Sequence, residues 1–180
     1  MPRRFARLRP GGDLPAPGYE GVPSDGLCLN VFLVFRPADT PGRVLLGKVD
    51  PAAPWAEIAA LGPDRIARLT DRWLLPASQL LLLESPDEAA IRVAREQLGF
   101  DLADLPTPRV FSETYARPGS EGKDPHWDLQ FVYDLVWPES RPPRASPWKE
   151  LALVDVARTP RAAFGRGHAD VLELVGVLAA

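Results

Sequence analysis

Residues 75–100, LPASQLLLLESPDEAAIRVAREQLGF, carry the clearest structural signal in this chain of 180 residues. Ser85 can cap a helix that begins at Pro86, where the missing N–H of proline costs nothing because that group has no partner in a first turn. Glu88 completes a capping box, and Gly99 is placed to end the helix. The sequence therefore predicts an extended segment followed by a helix with two well-defined ends.

The segments on either side of this helix are predicted from their apolar periodicity. Apolar runs separated by turn-rich residues indicate strands over residues 27–35, 43–49, 73–83, 109–115, 127–137 and 151–156, with one or two short helices in an insertion at 51–72 and a closing helix over 168–178. The first two strands are expected to form a hairpin. This order of elements predicts an α+β or α/β fold, a sandwich of helices around a mixed β-sheet.

Length and charge limit the classes of partner. The length suits a single domain over residues 27–180, preceded by an N-terminal arm or edge segment over 1–26 that carries basic residues. The formal net charge of −3 gives no reason to expect nucleic acid as a partner. No apolar run approaches the roughly 20 residues that span a bilayer, so a cytoplasmic protein without a membrane partner is expected.

The single cysteine, Cys28, lies among apolar residues and is expected to be buried.

The spacing of polar residues in 75–100 resembles the Nudix box, G-x5-E-x7-R-E-U-x-E-E-x-G-U, in which U is a bulky aliphatic residue. Four positions match this pattern without a gap: Glu84, Arg92, Glu96 and Gly99. Residues 75–78, LPAS, resemble the L-P-G-G that leads into the box. The resemblance implies a Nudix-like α/β/α sandwich, and a salt bridge between Glu84 and Arg92 that fastens the loop to the helix.

The box departs from the family pattern at the positions that would hold a metal. In the family, three carboxylates spaced i, i+3 and i+4 share one helix face and bind Mg²⁺ or Mn²⁺, and the metal activates water for attack on a diphosphate. Here those positions are Val93, Glu96 and Gln97, and Ser78 replaces the first glycine of the box. The resemblance implies Glu96 as a metal ligand, with the carbonyl oxygen of Gln97 as a second one.

Three further segments resemble the GDP-mannose mannosyl hydrolase branch of the same superfamily, which also lacks part of the carboxylate set. Residues 45–48, LLGK, match its second strand, His126 opens a strand as a histidine does there, and His168 lies where that branch keeps a catalytic histidine. The resemblance implies His168 and Glu96 as catalytic residues, and His126 and Lys48 as substrate contacts. The alternative is that His168 starts a helix and faces solvent, and that His126 packs at the start of its strand.

Other side chains could contribute to such a site. Glu113 and Asp128 lie on predicted strands and could add acidic ligands, although surface or edge positions are more usual for such residues. Trp55, Trp73 and Trp148 could stack on a base, although core packing is the usual fate of tryptophan.

Two functions follow from the resemblance, and the residues alone do not choose between them. The first is a Nudix-type hydrolase with a non-standard active site that acts on a nucleoside diphosphate linked to another group, such as a sugar, with Mg²⁺ or Mn²⁺ as cofactor. The second is a catalytically inactive Nudix-fold module that binds a nucleotide-like ligand or a protein partner. A homodimer is a further expectation from the family.

Overall fold

A computed structural model of the chain describes residues 7–8, 26–114, 126–138 and 147–179. Its strands are β1 (Arg7–Leu8), β2 (Gly26–Arg36), β3 (Arg43–Val49), β4 (Ala77–Gln79), β5 (Arg109–Thr114), β6 (His126–Val136) and β7 (Trp148–Asp155), and its helices are α1 (Trp55–Ala59), α2 (Pro63–Leu69), α3 (Pro86–Val93) and α4 (Arg166–Leu174). One or two short helices were predicted within 51–72, and the structure has two, α1 and α2. Most of the predicted N-terminal arm lies outside the described residues. Within the described ranges, no helix is long and apolar enough to cross a membrane.

A mixed sheet forms the centre of the fold. β2 and β6 pair in parallel along their full lengths, from Gly26 opposite His126 to Arg36 opposite Val136. The remaining edge of β2 pairs antiparallel with β1 and β4, and β5 pairs antiparallel with β6. The predicted mixed sheet is confirmed.

The hairpin predicted between the first two strands is wrong. β3 instead pairs antiparallel with β7 in a separate two-stranded sheet, from Arg43 opposite Asp155 to Val49 opposite Trp148. The reason lies in β2, because β6 occupies one of its edges along the whole strand while β1 and β4 occupy much of the other. The turn after β2 therefore delivers β3 to a different partner.

Helices cover both faces of the mixed sheet, because successive side chains of β2 point to opposite sides. On one face Leu33 belongs to the same buried cluster as Val93 of α3, and on the other Phe32 belongs to the same cluster as Leu172 of α4. This arrangement confirms the predicted α/β/α sandwich. A third cluster packs the insertion against the second sheet, and its buried members are Val49, Trp55, Ala59, Leu74 and Trp148.

The helix of the box has two parts. α3 is capped as predicted, since Ser85 Oγ accepts from Glu88 N at 3.2 Å and the Glu88 carboxylate accepts from Ser85 N at 2.8 Å. The next turn, Ala94–Leu98, widens into a π-helical turn that the sequence did not predict. Gly99 ends it with φ of 74°, a left-handed conformation that glycine adopts without steric cost.

The closing helix begins two residues earlier than predicted. The Gly165 carbonyl accepts from both His168 N and Ala169 N at 3.0 Å, so the first turn already contains His168. His168 therefore lies within the first turn of α4, and its place in that turn determines which way its ring faces.

Candidate functional site

A salt bridge between Glu84 and Arg92 fastens the loop to the box helix, as predicted. Arg92 Nε and Nη2 donate to the two carboxylate oxygens of Glu84 at 2.7 and 2.8 Å, and each side chain is only 11% exposed. Glu84 also accepts from Leu81 N at 2.8 Å, and Arg92 Nη2 donates to the Gln79 carbonyl at 3.0 Å. The pair therefore holds the loop, the helix and β4 together.

Ser78 connects the insertion to the same unit. Its Oγ lies 3.1 Å from the Ile58 carbonyl and 3.0 Å from the Gln79 carbonyl, which are alternative acceptors for its single proton, and it accepts from Arg92 Nη1 at 3.3 Å. A glycine could make none of these contacts. The serine that departs from the family pattern therefore has a structural task in this chain.

The two replaced acidic positions of the box are both fully buried. Val93 packs in the core between α3 and the sheet. The Gln97 amide makes two hydrogen bonds with the backbone of one residue, since Oε1 accepts from Ala77 N at 3.2 Å and Nε2 donates to Ala77 O at 2.8 Å. Trp148 Nε1 donates to the Gln97 carbonyl at 2.9 Å. Gln97 thus clamps β4 to the helix, with both polar atoms of its amide in use.

These positions do not fit a divalent-metal cluster. Hard cations need several oxygen ligands, whereas Val93 offers none and the amide oxygen of Gln97 is already bonded. Glu96 retains a carboxylate that is 22% exposed, with Oε2 3.7 Å from Arg92 Nη1. Within the described parts of the chain, no group of three or more His, Cys, Asp or Glu side chains is placed to hold a metal ion. The predicted metal role of Gln97 is not supported by this geometry.

A cavity of about 50 Å³ lies beside the clamp, on the face of the sheet that carries α4. Its walls are largely apolar, and Trp55 of α1 and Trp148 of β7 form part of them with ring centroids 4.6 Å apart. Asn30 of β2 also lines it; this residue is 9% exposed, and its amide makes no hydrogen bond among the described residues. An apolar pocket with a few polar groups is the usual form of a small-molecule site.

His168 lines this cavity and is buried, so the solvent-facing alternative is wrong. Leu75 N donates to Nδ1 at 3.0 Å, which places the proton of the neutral ring on Nε2. Burial, with a smaller contribution from the positive charge of Arg65, lowers the pKa of His168 to about 3. The predicted role as general base does not fit, because neither ring nitrogen offers the cavity a lone pair. The ring is a hydrogen-bond donor there.

The other predicted site residues do not converge on the cavity. Lys48 Nζ lies 2.9 Å from Glu150 Oε2, on the second sheet. His126 opens β6, and its side chain lies outside what the structure describes. Glu96 is adjacent to the clamp but does not line the cavity. Among the predicted catalytic and substrate-binding residues whose side chains the structure describes, only His168 lines this pocket.

The acidic and tryptophan candidates also differ in whether they line the cavity. Glu113 and Asp128 lie opposite each other on β5 and β6, and their role as ligands stays a prediction. Trp55 and Trp148 line the cavity, whereas Lys48 Nζ lies over the ring of Trp73, 4.4 Å from its centroid.

Three polar residues of the cavity lining, Asn30, Gln79 and Arg65, were not predicted from the sequence. Asn30 interrupts an otherwise apolar strand, and that interruption was a usable signal, because burying a polar side chain without a partner costs free energy. Gln79 lies beside Asn30 through the pairing of β2 with β4. Arg65 comes from the insertion, whose position against the sheet no local pattern reveals.

Comparison with known proteins gives a likeness of structure only, since no family model and no curated protein matches the sequence. The E. coli dihydroneopterin triphosphate pyrophosphohydrolase superposes with a TM-score of 0.56 at 15% identity, covering 81% of this chain and 92% of that one. The MutT NUDIX hydrolase of Burkholderia pseudomallei gives 0.50 at 18%, covering 83% and 98%. A bifunctional NMN adenylyltransferase/ADP ribose pyrophosphatase of Francisella tularensis, complexed with AMP and a manganese ion, gives 0.52 at 15%, covering 82% and 40%.

Proposed function

We propose that this chain, which has the Nudix fold, binds a nucleoside diphosphate derivative in the cavity beside the box helix. In this proposal the box helix shapes and supports the cavity, and it does not hold a cluster of catalytic metal ions. The fold and the partly apolar, partly polar lining of the pocket support this ligand class. It agrees with the AMP bound to one structural neighbour, and with the ADP ribose and the dihydroneopterin triphosphate that the names of two neighbours give.

The observation that carries this proposal is the clamp made by Gln97. A side chain that bridges the N–H and the carbonyl of Ala77 stabilises the wall of the cavity. A carboxylate at the same position would face the Ala77 carbonyl oxygen without a proton between them. The substitution that removes a metal ligand from the helix therefore also provides a structural hydrogen bond, which is the change expected of a supporting role.

The test combines binding with recovery of the ligand. The full chain is mixed with nucleoside diphosphates and nucleotide sugars in the presence of Mg²⁺, the unfolding temperature is measured, and the ligand is then analysed by phosphorus NMR. We expect thermal stabilisation by at least one compound that is recovered unchanged. Asn30→Leu should remove the stabilisation, whereas Asp64→Asn, an exposed change on α2, should preserve it. Absence of binding across the panel would contradict the proposal.

A second candidate function is hydrolysis assisted by a single divalent cation on Glu96. It is favoured by one observation, the partly exposed carboxylate of Glu96 beside the clamp. This candidate predicts that Mg²⁺ or Mn²⁺ produces cleavage of a panel member and that Glu96→Gln abolishes it. Cleavage that persists in Glu96→Gln would remove this candidate.

A further inference from the structure

Two side chains that line the cavity, His168 and Arg65, can donate hydrogen bonds into it but cannot accept them. His168 presents Nε2–H, because Nδ1 already accepts from Leu75 N, and no acceptor for Nε2–H lies among the described residues. Arg65 lines the same cavity, and a guanidinium has donors and no acceptor. Arg65 is close enough to His168 for its charge to disfavour protonation of the ring. His168 therefore requires an acceptor atom in whatever occupies the cavity, and Arg65 adds a positive charge and no acceptor to the lining.

Asn30, by contrast, does not restrict the ligand to acceptor atoms. Its amide has both a donor and an acceptor, and rotation about its last bond exchanges them. It can pair with any ligand edge on which a donor lies beside an acceptor. Asn30 thus strengthens binding of a heterocycle without deciding its identity, and the decision falls to His168 and Arg65.

The walls favour a flat group. Phe32 packs edge-on against the ring of His168 with centroids 5.5 Å apart, Trp55 packs against Trp148, and all four rings line the cavity. The cavity volume of about 50 Å³ has room for the edge of a ring and not for a whole nucleotide. The remainder of a nucleotide would extend from the cavity.

On the basis of the proposed function, we infer that this cavity selects nucleobases that present an oxo group over those that present an amino group at the same ring position. The oxo oxygen has two lone pairs, so it can accept from His168 Nε2–H and lie toward the positive charge of Arg65. An amino group at the same position would turn N–H toward His168 Nε2–H and leave that buried donor unpaired. A site built around such donors rejects the mismatched partner more strongly than an apolar pocket rejects a change of size.

The experiment compares matched pairs of ligands on the full chain. Binding constants for IDP and ADP, which differ by oxo against amino at one purine position, and for UDP and CDP, which differ likewise on a pyrimidine, are measured by calorimetry. We expect IDP to bind at least about tenfold more tightly than ADP, and UDP more tightly than CDP. Equal affinities, or a preference for the amino compounds, would overturn the inference and leave the proposed function standing. Binding of none of the four would overturn both.

Substitutions of His168 and Arg65 test whether these side chains cause the preference for oxo bases. His168→Asn retains an acceptor for Leu75 N, but its shorter side chain cannot place a donor where Nε2–H lies, so the preference for IDP should fall to within about threefold. Arg65→Gln reduces the donor set independently and should lower the preference even if the first variant folds poorly. Arg68→Gln, an exposed change on the same helix as Arg65, is the matched control and should keep the full preference. Full selectivity in both cavity variants would contradict the assignment.

Discussion

At the scale of single residues, Gln97 shows how one substitution can change the task of a position. The amide bridges the N–H and carbonyl of Ala77, which lies 20 residues earlier in the chain, and it is fully buried. A neutral amide has both a donor and an acceptor, so it can bond to both backbone groups of Ala77. At neutral pH a carboxylate can only accept from Ala77 N.

Gln97→Glu should lower the free energy of unfolding by about 2–4 kcal/mol at pH 8, because it buries a charge against a carbonyl oxygen. The loss should be smaller at pH 5. Burial and the carbonyl raise the pKa of the new carboxyl group, and its protonated form can donate to Ala77 O. Urea unfolding at the two pH values measures this.

Glu96→Gln is the matched control, since its side chain is partly exposed and its ion-pair distance to Arg92 is 3.7 Å. It should change stability by less than about 1 kcal/mol. Equal losses in the two variants would contradict the clamp.

His168 predicts a pH dependence of stability. Its folded pKa of about 3 lies below the ordinary value of 6.5, so the unfolded chain binds a proton that the folded chain does not. Stability from this group is complete above pH 6.5 and is lost as the pH falls toward 3. The loss between pH 7.5 and pH 5.0 should be about 2 kcal/mol.

His168→Asn removes this titration while retaining an acceptor for Leu75 N. Comparing urea unfolding of the two proteins at pH 7.5, 6.0 and 5.0 isolates the contribution of the histidine from that of other groups. Parallel curves for the two proteins would contradict the burial of a neutral ring.

At the scale of elements, the salt bridge between Glu84 and Arg92 determines how firmly the loop is joined to α3. Both side chains are 11% exposed, and removal of one partner from a buried pair commonly costs about 3–5 kcal/mol. Glu84→Gln should therefore lower stability by roughly that amount, measured by urea unfolding.

The control for this change lies at the C-terminal end of the box helix. Arg95 and Asp101 form an ion pair whose side chains are 65% and 70% exposed. Asp101→Asn should cost less than about 1 kcal/mol, because solvent screens exposed pairs. A similar cost for both substitutions would show that the buried pair does not fasten the loop.

The elements also show what the sequence could predict. The cap at Ser85, the start at Pro86 and the end at Gly99 were predictable because each depends on a few adjacent residues. The pairing of β3 with β7 and the bond from Gln97 to Ala77 were not, since they join segments far apart in the chain. The π-helical turn also escaped prediction, as its residues are ordinary helix formers.

At the scale of the whole molecule, Trp148 joins the second sheet, the cavity and the box helix. It lines the cavity, packs against Trp55 and donates to the Gln97 carbonyl. Its ring lies so close to Gly47 that a Cβ there would come within 2.3 Å of it. The glycine of the LLGK segment is therefore explained by packing.

Gly47→Ala should displace the Trp148 ring, lower stability by about 1–3 kcal/mol and weaken binding of any cavity ligand. Gly42→Ala is the control, because a Cβ at that turn meets nothing within 4 Å. Thermal unfolding with and without ligand measures both effects. Tight binding in Gly47→Ala would show that the position of Trp148 does not shape the cavity.

If the box helix supports a binding cavity and holds no metal cluster, Mn²⁺ binding should not depend on Glu96, the carboxylate that remains at the family's metal positions. Titration of the protein with Mn²⁺, followed by electron paramagnetic resonance, tests it most directly when wild type and Glu96→Gln are compared with and without ADP. The substitution should leave Mn²⁺ binding unchanged in both conditions. A saturable Mn²⁺ site that is present in wild type and lost in Glu96→Gln would contradict it.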